Sequence, residues 1–110
     1  MANTFKLKTK ANVGVTTVGI YTAPAATTTV VIGITLANTS GSGVNVGVAV
    51  SRTSDTKEDI KLLKNAPIPS GSSLEFMSGN KIVLETNDQI NVDSDTNNSV
   101  DAALTIMEIT

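Results

Sequence analysis

Apolar residues recur at every second position along most of this chain, the period of a strand with one buried face. The clearest run is Val30, Ile32, Ile34 and Leu36, which puts Val31, Gly33, Thr35 and Ala37 on the opposite face. Asn38-Thr39-Ser40-Gly41-Ser42-Gly43 supplies a polar turn, after which Val44, Val46, Val48 and Val50 alternate with Asn45, Gly47, Ala49 and Ser51. Two such strands about a short turn predict a hairpin whose faces differ, one branched aliphatic and the other small or polar. Upstream, Phe5 and Leu7 alternate with Lys6, Lys8 and Lys10, and a strand over residues 18 to 22 is expected to pair with the one beginning near Val30.

Past the hairpin the rhythm breaks. Residues 52 to 58 concentrate charge with Ser and Thr and read as a solvated loop before a strand at about 59 to 63. Pro67-Ile68-Pro69-Ser70-Gly71 reads as a connection, since proline lacks a backbone donor and glycine allows a tight turn. Leu74 and Phe76, Ile82 and Leu84, and Ile90 and Val92 form three short alternating pairs, separated by Ser78-Gly79-Asn80 and Thr86-Asn87-Asp88. The last element, residues 100 to 109, is apolar at Val100, Ala102, Leu104 and Ile106, then shifts to Met107 and Ile109, which calls for a bulge or a contact at its end. The whole chain predicts seven to nine short strands and no helix, hence an all-β, two-layer antiparallel sandwich, immunoglobulin-like or jelly-roll. Residues 1 to 110 form one domain in this reading, with residues 1 to 12 an N-terminal arm or edge strand.

Composition narrows the function. A chain of 110 residues buries roughly two thirds of its unfolded surface, enough to fold without staples. It has no cysteine, which fits assembly in a reducing cytoplasm. A formal charge of −2 gives no general attraction to nucleic acid or anionic membrane, and no apolar run reaches the length of a membrane span. The opening residues lack the apolar stretch of a signal peptide, so no leader is expected. With neither histidine nor cysteine, and no phosphate loop or nucleophile elbow, the chain lacks the usual acid-base and nucleophilic groups, and no catalytic residues or cofactor are expected.

Two constellations carry candidate chemistry. Asp93, Asp95 and Asn97 alternate as oxygen ligands of calcium do, but an EF-hand wants glycine and glutamate where Asn98 and Leu104 stand, and such clusters are ordinary turn formers. Phe5 and Leu7 opposite Lys6, Lys8 and Lys10 read either as an edge strand whose lysines deter aggregation or as an apolar and basic anchor for a neighbouring protein. Two glycosylation sequons, at Asn38 and Asn97, carry little weight without a leader. Sugar stacking would fall to Tyr21, Phe5 or Phe76, of which the two phenylalanines read as core.

Residues 20 to 39, IYTAPAATTTVVIGITLANT, resemble a pattern of small bacteriophage virion proteins: a Tyr-Thr-x-Pro turn, a Thr-rich strand, an ANTS-GS turn and a valine-rich strand. Residues 66 to 74, residues 81 to 90 and the ending LTIMEIT resemble it too, especially proteins of tailed phages of marine and cyanobacterial hosts. The resemblance implies a capsid decoration or cement subunit on the exterior of the head, assembled in the host cytoplasm. Its partners would be the major capsid protein or other virion subunits, with self-association into a homo-oligomer, and neither nucleic acid nor membrane. Phe5 and Leu7 would then bury against the capsid while Lys6, Lys8 and Lys10 meet acidic groups. The alternative is a tail, neck or fibre component that recognises the host surface through loops 52 to 58 and 93 to 99.

Overall fold

The computed structural model describes residues 3–52, 58–76 and 81–110. The described chain is β throughout: β1 (Asn3–Val13), β2 (Val18–Thr22), β3 (Thr28–Asn38), β4 (Val44–Ser51), β5 (Ile60–Ile68), β6 (Ser73–Phe76), β7 (Ile82–Leu84), β8 (Gln89–Ser94) and β9 (Val100–Ile109). All pairings are antiparallel. The larger sheet runs β1-β9-β3-β6 with β7 also on β3, and the smaller runs β2-β8-β4-β5. Because β9 occupies one edge of β3 along its length, β6 and β7 share the other and are two halves of one edge strand.

The first half of the chain thus pairs with the second in reverse order: β1 with β9, β2 with β8, β3 with β6 and β7, β4 with β5. A two-stranded ribbon wound in this way is a jelly roll, which decides between the two sandwiches the strand pattern allows. The inner faces of both sheets meet in one core of Val31, Ile34, Leu36, Leu104 and Ile106 from the larger sheet and Val46, Val48, Ile90 and Val92 from the smaller, all buried.

Several strand expectations change. β3 and β4 are not a hairpin, since they lie in opposite sheets. Both bury one aliphatic face, so alternation cannot tell a strand's neighbour in the sheet from one across the core. The turn between them crosses the sandwich, held by the Asn38 amide, which donates to Ser42 O at 2.8 Å and Ile68 O at 2.9 Å. Likewise β2 pairs with β8, not with β3. β5 extends to Ile68 through Pro67, which a strand tolerates here because β5 is the sheet's edge. The connection shrinks to the turn at Pro69, where Ser72 N donates to Pro69 O at 3.1 Å and Gly71 takes a φ of 72°.

The bulge expected in the last strand lies in its partner. β9 alternates without interruption, with Met107 and Ile109 outward and Glu108 inward. In β3 the register against β9 slips between Val31 and Gly33. The extra residue, Ile32, reverses the parity: Thr29 and Val31 face the core before it, Ile34 and Leu36 after it. Val30 and Ile32 therefore face outward and are half-buried, contrary to the regular alternation.

Candidate protein-binding surface

The outward parity of β1, β9, β3 and β7 brings apolar side chains from distant parts of the chain into one row. Phe5 is opposite Met107, Met107 opposite Val30, and Val30 opposite Val83. Phe5 is 69% exposed, Val83 56%, and Leu7, in the next row, 63%. That second row is Leu7, Thr105 and Gly33, with the bulged Ile32 beside it. The third row is small: Thr9, Ala103 and Thr35, ending at Glu75 on β6. Around it Thr9, Ala11, Thr35, Ala37 and Ala103 line a shallow open depression that Lys10 and Asp101 border. One end of this outer face is therefore a ridge of large apolar residues and the other a hollow of small ones. Its charges, Asp101 and Glu75 among the strand positions, lie at the hollow end.

The smaller sheet's outer face is different in kind. It carries Asn45, Gly47, Ala49 and Ser51 from β4 and Gln89, Asn91 and Asp93 from β8. Its long polar side chains lie flat over glycines, Gln89 above Gly19 and Asp93 above Gly47, where an added Cβ would meet them at 2.4 and 2.5 Å. They bond sideways along the sheet, Gln89 Nε2 to Thr22 Oγ1 at 3.0 Å and Asn91 Nδ2 to Ser51 Oγ. A polar outer face is what a sandwich normally shows to water, and the largely apolar face opposite, with its charges confined to one end, is the exception.

Phe5 and Leu7 belong to the apolar face, so Phe5 is exposed and not a core residue. The Phe76 side chain lies outside the described residues. β1 is an edge strand pairing with β9 from Asn3 to Val13, and its lysines point to the core side: Lys6, Lys8 and Lys10 stand opposite Ile106, Leu104 and Ala102. Inward-pointing charge is a recognised guard on sheet edges. Lys6 has an acidic partner in its own chain, with Nζ 2.8 Å from Glu108 Oε1. Glu108 is buried, and its second oxygen accepts from Tyr21 Oη at 2.6 Å. The phenol oxygen also lies 2.7 Å from Thr29 Oγ1. Lys6 and then Tyr21 hold the Glu108 carboxyl below its ordinary range, while burial, followed by Glu108, pushes the Tyr21 phenol up to about 12. Tyr21 is thus a core residue and offers no stacking surface. The five-atom chain of contacts needs an acid at an inward position of a core strand, and the inward parity of Glu108 was the signal for it.

The calcium candidates are spread over separate tasks. Asp93 Oδ2 accepts from Thr17 Oγ1 at 3.4 Å, Asp95 Oδ1 caps Asn45 N at 3.1 Å, and Asn97 Oδ1 lies 3.5 Å from Val15 N. Between them Ser94 and Ser99 join hydroxyls at 2.7 Å, and Asn98 takes a φ of 52°. Residues 93 to 99 are a hydrogen-bonded turn, and among the described residues no group of three His, Cys, Asp or Glu side chains could share a metal ion. In loop 52 to 58, residues 53 to 57 lie outside the described ones. Arg52 closes its start, donating from Nε to both Asp88 oxygens at 3.2 Å, and the Arg52 amide donates to Asp59 Oδ1 at 2.6 Å.

Comparison with known proteins adds no relative: no family model, curated protein or solved structure matches the chain.

Proposed function

We propose that this chain is a structural subunit of a bacteriophage virion, a capsid decoration or cement protein that works by binding other proteins. One observation carries the protein-binding part: a domain with a polar outer face on one sheet and, on the other, a largely apolar face with Phe5 and Leu7 standing exposed. Large exposed apolar areas on a folded domain mark places where it meets protein, membrane or ligand. The jelly roll agrees with this, being a fold that viral capsid domains use among others. The assignment to a phage head rests on the likeness of residues 20 to 39, 66 to 74, 81 to 90 and 104 to 110 to small virion proteins.

The test is immunogold electron microscopy of the source phage with antibody against this chain, together with co-sedimentation of the pure protein with capsids. Label over the whole head and saturable sedimentation are expected. Label confined to the tail or neck transfers the protein to host recognition, and no label with antigen shown accessible removes it from the virion.

A further inference from the structure

We infer that the outer face of the larger sheet is the interface between two copies of this chain, related by a two-fold axis that lies between the faces and runs across the strands. The inference rests on the reading of that face as protein-binding and names its occupant.

The shape of the face selects its occupant. A two-fold in that direction reverses the strands, so it lays the ridge end of one copy over the hollow end of the other. With the axis at the Leu7 and Thr105 row, the rows on either side exchange. Phe5 of one copy then covers Thr9 of the second, Met107 covers Ala103, and Val30 covers Thr35, by the pairings that define those rows. In these three pairs a larger side chain meets a smaller one, twice over, Leu7 meets Leu7 at the axis, and the same operation lays Val83 over Glu75 on the edge strand and Ile109 over Asp101 in the last row. The open depression lined by Thr9, Ala11, Thr35, Ala37 and Ala103 is the space that the ridge fills. A two-fold along the strands would instead stack ridge on ridge and leave the hollows empty.

Twist and area agree. Two sheets of the same hand pack face to face with strands within about 30° of alignment, as the two layers of a sandwich do. Four strands about 4.8 Å apart and nine residues at about 3.3 Å each give a face of roughly 19 by 30 Å. That is on the order of 1,100 Å2 over two copies before side-chain relief is added, above the ~1,000 Å2 of a specific interface. Glu75 lies on the edge strand and Asp101 in the last row, so both carboxylates sit at the rim of such a contact, and Lys6 and Lys8 are on the opposite side of β1.

Sedimentation equilibrium of the full chain tests this. The wild type should have twice the 11.3 kDa mass of one chain. Phe5→Asp on the ridge and Ala103→Trp in the hollow should each give the single-chain mass with unchanged circular dichroism, while Ala49→Trp on the opposite, polar face should leave the double mass. A wild-type monomer at every concentration tested, or a double mass that survives Ala103→Trp, overturns the interface. Co-sedimentation of the same variants with capsids separates the two readings. A monomeric wild type whose capsid binding is lost in Phe5→Asp overturns the two-copy interface and leaves the protein-binding function standing. A wild type of double mass, broken by both variants, supports the interface even if it fails to bind capsids, an outcome that removes only the capsid.

Discussion

The Tyr21 hydroxyl sits 2.6 Å from Glu108 Oε2 and joins the smaller sheet to the larger through the core. Thr29 shares the phenol oxygen, Lys6 holds the other carboxylate oxygen, and no buried side-chain polar atom among the described residues lacks a partner. A buried carboxylate is tolerated because it is both paired and hydrogen-bonded.

Tyr21 should ionise late. Its phenol is pushed up to about 12 by burial and by Glu108, above the ordinary value of about 10. The stability it contributes is complete below about pH 10 and is lost as pH rises from there through about 12. The chain has one tyrosine and no tryptophan, so tyrosinate absorbance reports this group alone. The expected titration midpoint lies near 12; a midpoint near 10 with the fold intact by circular dichroism would refute the buried contact. Tyr21→Phe, which removes a hydrogen bond to a buried carboxylate, should cost about 1.5–3 kcal/mol at neutral pH.

Glu108 acts at the other limb. Its folded pKa is lowered, chiefly by Lys6 and then by Tyr21. Its stabilising effect is therefore present above the ordinary carboxylate value of about 4.3 and is lost as pH falls through the lower folded value. Urea denaturation between neutral and acid pH should show wild-type stability falling in that window, with Glu108→Gln less stable at neutral pH and flatter in acid. Lys6→Met, which leaves the carboxylate with Tyr21 alone, should destabilise the neutral protein.

Leu104 and Phe5 lie on strands paired to each other but on opposite sides of the sheet. Leu104→Ala removes a fully buried side chain and should cost about 2–5 kcal/mol. Phe5→Ala, at an exposed position, should change the unfolding free energy of the single chain by within about 0.5 kcal/mol. Equal losses from the two, measured in dilute protein, would contradict the assignment of Phe5 to the outer face.

Calcium should not shift the melting temperature, because Asp93, Asp95 and Asn97 are committed to different partners around the β8–β9 turn. Differential scanning fluorimetry with calcium and with a chelator checks this. A rise on adding calcium that Asp93→Ala and Asp95→Ala abolish would require those side chains to converge.

The strands were legible in the sequence because alternation and turn chemistry are local. The valines of β4, the inward set Leu104 and Ile106 of β9, and the turn at Thr86-Asn87-Asp88 follow from neighbouring residues alone. So do the absence of helix among the described residues and the sandwich class. Which sheet a strand joins is not local: β3 and β4 have the same pattern and lie on opposite sides of the core, since a buried aliphatic face serves either sheet equally. The reversed pairing that makes a jelly roll is likewise a matter of contacts far apart in the chain. One inserted residue, Ile32, turned Val30 outward and Val31 inward, because a period of two changes face with every slip. Only that slip, with the pairing of β1, β9, β3 and β7, assembles Phe5, Met107, Val30 and Val83 into a single row, and only the packing of β2 over β9 supplies Glu108 with Tyr21. Met107 and Ile109, apolar where the alternation asked for polar, were the visible trace of that surface. Local patterning determined which side of each strand is apolar; long-range pairing decided which of those sides were buried and which were left exposed.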